Sequence, residues 1–270
     1  MPLLTTRKML LGTIKILLVL YVLICVLLYF FQEKLIFFPD KLDKDYKFSF
    51  AQPFEETIIM LNDGFHLNGL LFTVDNPKGL VFYLHGNAGS LESWADVAKR
   101  YTDLHYDIFI LDYPGYGKSS GSIKSEGQLF NATQAAYNEM KKKYKEERIV
   151  VLGYSIGTGP AAKLASTNYP RLLILQAPYY SLTDLMRKTY PIVPVFLLKY
   201  KLKTNEYLRN CKMPVVIFHG DQDEVIYYGS SLKLKEEMKD SDTLITLKGQ
   251  GHNGITDNPD YIEALKTFLH

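Results

Sequence analysis

Five short, unbroken apolar runs, at residues 80–84, 108–111, 149–152, 172–175 and 215–218, recur along the chain with helix-patterned segments between them. Runs of this length and continuity suit strands buried on both faces, as in a parallel sheet covered by helices. The helical segments are 91–101, 126–145, 156–168 and 231–239, and the chain closes with a strand at 243–247 and a helix at 260–269. Ahead of this regular part, 55–61 and 65–74 are β-rich and flank Asn62-Asp63-Gly64, a hairpin signal. The expectation is an α/β fold: a mostly parallel central sheet with helices on both faces. Ligand sites in such sheets lie at the carboxyl ends of the strands. The residues that follow each apolar run are therefore the ones to read for chemistry.

The N-terminus obeys a different rule. Between residues 9 and 31, 20 of 23 residues are apolar, and 16–31 is an unbroken apolar run. As a helix, 23 residues span about 35 Å, enough for a hydrocarbon core of about 30 Å. Lys15 lies one turn inside and can snorkel to the headgroups, and Tyr29, Phe30 and Phe31 close the run as an interfacial belt would. A cleaved signal peptide has a shorter apolar region and a small-x-small site, and neither is present. The expectation is a single-pass anchor at residues 1–40 that spans about 9–31, followed by one domain at 41–270. Basic residues flank both ends, with Arg7, Lys8 and Lys15 before the span and Lys34, Lys41, Lys44 and Lys47 after it. The positive-inside rule therefore does not orient the span. The basic N-terminal start resembles a signal anchor.

Charge and cysteine content narrow the partners. The formal net charge is +2. Residues 1–40 carry that excess, with Arg7, Lys8, Lys15 and Lys34 against Glu33 and Asp40. The domain that follows is balanced, which argues against a nucleic-acid partner. Cys25 and Cys211, the two cysteines, exclude a disulfide scaffold and a Cys-rich metal cluster.

After the run at 149–152 comes Gly153-Tyr154-Ser155-Ile156-Gly157, a G-x-S-x-G pentapeptide. Its glycines let a strand turn sharply into a helix and hold the serine exposed on a strained turn. Chance alone gives roughly 0.1 such matches in a chain of this length. A buried strand before it and an Ala-rich helical run after it make Ser155 the expected nucleophile. A base is expected late in the chain, because the order in this motif class is serine, acid, histidine. His252, in the Gly-rich turn 249–254 behind strand 243–247, fits; His270, the last residue, would fray. The acid is expected behind 215–218, where Asp221, Asp223 and Glu224 cluster. Asp223 is the first choice, and Asp184 is a lower-ranked alternative. Two backbone donors are expected for an oxyanion: the amide of Ile156, and that of Asn87 in the small-residue loop His85-Gly86-Asn87-Ala88-Gly89.

Two competing motifs fail. Residues 249–254 match G-x-G-x-x-G, but only 16 residues follow, too few for a dinucleotide-binding unit. Gly117-Lys118-Ser119 lacks the first glycine of a phosphate loop, since Asp112 stands there. No H-E-x-x-H or paired C-x-x-C occurs, so neither a metal nor a cofactor is expected.

The loop 85–89, Asp112-Tyr113-Pro114-Gly115-Tyr116-Gly117-Lys118-Ser119, the segment 155–160, His219-Gly220-Asp221-Gln222-Asp223-Glu224 and Gly251-His252-Asn253 together resemble the α/β-hydrolase superfamily. More narrowly they resemble its membrane-associated serine hydrolases, the branch that holds protein depalmitoylases and lysophospholipases. The resemblance covers roughly residues 54–269. It implies an α/β-hydrolase fold with Ser155, Asp223 and His252 as a triad and Asn87 and Ile156 at the oxyanion positions. It also implies an acyl ester or thioester substrate. The eukaryotic depalmitoylases carry an N-terminal cysteine cluster, whereas this chain has an apolar span with Cys25 alone inside it. A short cap is expected at about 178–213, with the apolar stretch 192–198 and the aromatics Tyr179, Tyr180, Phe196 and Tyr200; its apolarity suggests an acyl-lined pocket, and ordinary helix packing is the alternative. The same triad can cut amides, so a peptidase or amidase is the alternative within enzymes. A non-catalytic membrane scaffold of this fold is the alternative outside them.

Overall fold

A computed structural model describes residues 2–62 and 64–270, with side chains from Lys8 onward. Asp63, at the centre of the expected hairpin turn, and the side chain of Arg7 lie outside the described residues. Helix α1 (Pro2–Ile36) is long and apolar enough to cross a membrane. It continues five residues beyond the expected end of the span. A two-residue strand, Phe38–Pro39, then pairs with Ala88–Gly89.

Eight strands form one sheet: β1 (Phe54–Met60), β2 (His66–Phe72), β3 (Gly79–Leu84), β4 (Tyr106–Leu111), β5 (Ile149–Tyr154), β6 (Leu172–Gln176), β7 (Val215–Gly220) and β8 (Thr243–Leu247). Their spatial order is β8-β7-β6-β5-β3-β4-β2-β1. Strands β3 to β8 run parallel, and β2 is antiparallel to both β1 and β4.

Alternate side chains along each buried strand enter two separate cores, as a strand's two-residue period requires. Leu80, Phe82, Val151 and Ile217 face one core, with α4 (Glu126–Lys143) and α5 (Thr158–Ser166) packed on it. Val81, Tyr83, Val150 and Phe218 face the other, under α3 (Ala98–Thr102) and α9 (Pro259–Phe268). Each large apolar side chain buried this way contributes about 1.5–3 kcal/mol, which explains why the runs need no polar alternation. Local signals fix the helix ends. Ser125 accepts the Gln128 amide at the start of α4, and Lys141–Lys143 lie at its negative C-terminal end. Asn258 caps α9 ahead of Pro259.

Two expectations need correction. The helix at 91–101 is broken into α2 (Leu91–Trp94), a 3-10 turn and α3. The break falls at Trp94, whose indole donates to the Ala88 carbonyl (2.7 Å) and packs near Tyr154. The stretch between β6 and β7 holds two short helices, α6 (Leu182–Thr189) and α7 (Thr204–Leu208), joined by an apolar loop. Of the aromatics Tyr179, Tyr180, Phe196 and Tyr200, the last three lie away from the pocket. Tyr200 is fully buried against Phe37, Tyr180 bonds Glu237, and Phe196 is 80% exposed. Helix α8 (Gly229–Lys235) precedes β8.

Candidate active site

Strand β5 delivers Ser155 at its carboxyl end. The serine adopts φ 52°, the left-handed region that costs a residue with a Cβ about 1–2 kcal/mol. A 3-10 turn (Ser155–Gly157) then leads into α5. The turn closes only because its flanks are glycines. A Cβ on Gly157 would sit 2.2 Å from the Leu84 carbonyl oxygen, and one on Gly153 would sit 2.5 Å from that of Gly157. The Thr158 hydroxyl donates to the Ser155 carbonyl (2.6 Å) and clamps the turn from the helix side.

Three expected residues meet here. His252 Nε2 lies 3.0 Å from Ser155 Oγ, and His252 Nδ1 lies 2.8 Å from Asp223 Oδ2. All three are buried. Asp223 Oδ1 accepts the amides of Val225 (2.9 Å) and Ile226 (2.7 Å), and Oδ2 also accepts from His219 Nε2 (3.2 Å). Burial acts to raise the Asp223 pKa. The hydrogen bonds from His219 and His252, the His252 charge and the Ile226 amide outweigh it and hold the carboxyl well below the usual carboxylate range. An ionised carboxylate only accepts, so in a neutral imidazole the His252 proton sits on Nδ1 and Nε2 is left to accept from the serine hydroxyl. The other acids are engaged elsewhere. Asp221 accepts the Gly249 amide, Glu224 accepts that of His252, and Asp184 pairs with Lys233.

Four contacts were missed from sequence. His219 is a second donor to Asp223, Glu224 and Tyr154 fix the His252 backbone, and Tyr179 donates to the Ile156 carbonyl. His219 had a signal, since it ends an apolar run, where strands present functional groups. The tyrosines are spread over the sequence and had none.

Asn87 and Ile156 border the same cavity as Ser155 and His252. The backbone N–H of Asn87 makes no hydrogen bond to the protein among the described residues. The Asn87 side chain has an unexpected role. It donates to the Ile36 carbonyl (2.5 Å) and accepts from the Phe38 amide (3.3 Å) and the Tyr116 hydroxyl (3.1 Å), which ties this loop to the end of α1.

Beneath the loop, His85 and Asp112 are fully buried with His85 Nε2 3.8 Å from Asp112 Oδ1, too far for a hydrogen bond. Burial pushes Asp112 up to about 8 and His85 down to about 4, so the pair is neutral.

The cavity at Ser155 measures about 1050 Å³ and is lined mainly by apolar side chains. Cap residues Leu182, Met186 and Val193 form one wall, and Leu28, Leu35 and Ile36 of α1 form another. Tyr179 is the one aromatic of the four expected that lines it. A smaller cavity of about 370 Å³, between Glu56, His66 and Lys118, lies apart from these groups. Among the described residues no three His, Cys, Asp or Glu side chains cluster as metal ligands.

Residues 79–203 match a family described as having the alpha/beta hydrolase fold. The alpha/beta hydrolase domain-containing protein 17B of Xenopus tropicalis is 32% identical over 200 residues, which is 72% of this chain and 67% of the relative. The human protein of that name is 31% identical over the same shares. An esterase from Pyrococcus furiosus superposes with a TM-score of 0.70 at 18% identity, covering 87% of this chain and 97% of the esterase. Est1E from Butyrivibrio proteoclasticus superposes at 0.63 and 19%, covering 79% and 97%. At these identities the structural likeness concerns the fold.

Proposed function

The chain belongs to the α/β-hydrolase family, and from that premise we propose that it is a membrane-anchored serine hydrolase of carboxylic esters or thioesters. The observation that carries the reading is the continuous hydrogen-bonded line from Ser155 through His252 to Asp223 at the wall of an apolar cavity. In the proposed reaction His252 Nε2 takes the Ser155 proton as Oγ attacks the acyl carbonyl. The Ile156 and Asn87 amides receive the oxyanion, and Asp223 stabilises the imidazolium. His252 then protonates the leaving alcohol or thiol, and water repeats the sequence on the acyl-enzyme. The mainly apolar lining suits an acyl chain, and its one acidic residue, Glu224, accepts the His252 amide. A Pyrococcus esterase of the same fold agrees with this class.

The anchor reading is supported by the length and apolarity of α1 and by its place in the pocket wall. Removal of α1 as a leader would open that wall. The test is Ser155→Ala in the full-length protein in detergent. The variant is expected to lose short-chain ester hydrolysis and fluorophosphonate labelling together. Parent-like turnover by the variant would end the serine-nucleophile reading.

A further inference from the structure

The loop between α6 and α7 runs along α1 in the wrong direction for a water-facing cap. Gln32 Nε2 donates to the Leu197 carbonyl (3.0 Å), and eleven residues earlier the Tyr21 hydroxyl donates to the Ile192 carbonyl (2.8 Å). Eleven residues of helix rise about 16 Å. The loop therefore leaves the body of the protein and follows α1 into its apolar stretch. Residues 190–198 contain no charge. Ile192 is 77% exposed and Phe196 80%, values unusual for large apolar side chains so close together. Charges resume at both ends, with Arg187 and Lys188 before the stretch and Lys199, Lys201 and Lys203 after it. Lys199 sits level with the end of the apolar helix, 3.2 Å from Glu33 and 4.8 Å over the Tyr29 ring.

Irregular backbone in hydrocarbon is costly unless its polar groups are satisfied. This loop is built to reduce that cost. Pro191 and Pro194 have no N–H. The amides of Tyr190, Val193, Leu197 and Leu198 donate within the chain, and the carbonyls of Ile192 and Leu197 are capped from α1. Leu28 and Leu35 of α1 and Val193 and Leu197 of the loop also line the Ser155 cavity. The cavity thus lies between the two elements that a bilayer would surround.

We infer that residues 190–198 form a second membrane-inserting element beside α1, with Ile192 and Phe196 in the acyl region of the bilayer. The Ser155 cavity then opens toward hydrocarbon and draws a membrane-resident acyl chain laterally rather than from water. This rests on the anchored-hydrolase reading for the substrate, but the insertion itself is measured without activity. Full-length protein carrying Cys25→Ala is reconstituted into phosphatidylcholine nanodiscs with a nitroxide at Ile192→Cys, Phe196→Cys or Tyr169→Cys; Tyr169 is a distant exposed residue. Labels at 192 and 196 are expected to collide with oxygen and to be shielded from an aqueous nickel complex, and the label at 169 to do the reverse. Nickel access at 192 and 196 equal to that at 169 overturns the insertion.

A second arm uses Ile192→Asp with Phe196→Asp, neither of which lines the cavity. Turnover of a long-chain acyl ester embedded in vesicles is expected to fall about tenfold or more, with a water-soluble butyrate ester cleaved at the parent rate. Equal loss or equal retention on both substrates overturns lateral entry. If the parent itself cleaves neither ester and leaves Ser155 unlabelled, the hydrolase reading fails while the depth result stands or falls separately.

Discussion

Asp223→Asn tests the proposed chemistry most sharply, because the surroundings dictate how the new amide must sit. Asp223 Oδ1 accepts two backbone amides, from Val225 at 2.9 Å and Ile226 at 2.7 Å. An asparagine oxygen can keep both. Turning the amide over would set its NH2 group against two N–H donors, and leaving two buried donors unmet costs about 1–3 kcal/mol each. The oxygen therefore stays, and the NH2 group replaces Oδ2, facing His252 Nδ1. That nitrogen must now accept, so the proton moves to Nε2, which can no longer take the proton of Ser155 Oγ. Loss of the correct tautomer in such triads lowers kcat by about 10⁴, or about 5 kcal/mol of barrier. His219 keeps its 2.8 Å bond to the Ile226 carbonyl, so the fold is expected to survive. The assay is steady-state hydrolysis of a short-chain ester by the full-length protein in detergent, with the rate of fluorophosphonate labelling as a second readout. A kcat within tenfold of the parent would refute the orientation argument. The folded-state pKa of Asp223 is depressed, so its stabilising contribution is present above the unfolded carboxylate value of about 3.9. It is lost as pH falls from there through the folded value. The melting difference between parent and variant is therefore expected to be constant from pH 5 to 8 and to shrink below about pH 4.

Ser155→Gly is expected to melt about 2–4 °C above Ser155→Ala, both being inactive, because glycine relieves the φ of 52° and only part of that gain is lost to its floppier unfolded chain; equal melting temperatures would contradict a strained elbow. Gly157→Ala, which drives a Cβ to 2.2 Å from the Leu84 carbonyl oxygen, is expected to lose fluorophosphonate labelling and at least about 1–3 kcal/mol of stability, read by denaturant melting. Burial holds Asp112 protonated to about pH 8 while the unfolded chain ionises near 3.9, so folding takes up a proton in that window and stability falls as pH rises, by roughly 1 kcal/mol per pH unit. Asp112→Asn is expected to flatten that slope between pH 5 and 8, and parallel melting curves would sink the idea. Gln32→Ala strands the Leu197 carbonyl and the Lys199 amide; faster trypsin cleavage after Lys188 or Lys199 is expected, and an unchanged digest would count against the α1–loop contact.

The sheet was legible in the sequence because each buried strand had to be apolar on both faces, which leaves a run that no surface segment imitates. That Ser155, Asp223 and His252 would meet could be anticipated for a related reason. Ser155 and Asp223 stand just past such runs and His252 follows the closing strand, where strand ends converge, and the glycines at 153 and 157 mark a turn that other residues would block. Asn87 was read for its backbone alone. Its side-chain bond to the Ile36 carbonyl joins positions 51 residues apart, and nothing local announces it. Likewise Gln32 reads as the first polar residue after an apolar span. In the fold it is 6% exposed and bonded on both sides of its amide to a loop 165 residues away. The cap aromatics left pocket lining and ordinary packing both open, because aromatic content does not say what a segment packs against: Tyr179 lines the cavity and Tyr200 packs on Phe37.

The contacts of α1 bear on whether the N-terminal segment is an anchor or a leader, a choice that length and flanking residues address only by rule. A leader is discarded and has no reason to complete the folded protein. Here Leu28, Leu35 and Ile36 close one side of the Ser155 cavity, Gln32 and Tyr21 hold the cap loop, and Ile36 accepts the Asn87 side chain next to the proposed oxyanion donor. Cleavage after the apolar run, near residue 31, would spare Gln32, Leu35 and Ile36 but remove Tyr21 and Leu28, and with them the loop's outer tether and part of the cavity wall. The residues that make α1 long and apolar enough for a membrane are thus the same kind that make it a wall of the apolar Ser155 cavity. One apolar sequence meets both demands, so on the proposed anchored-hydrolase reading membrane attachment and the shape of the substrate site are one feature of this fold rather than two.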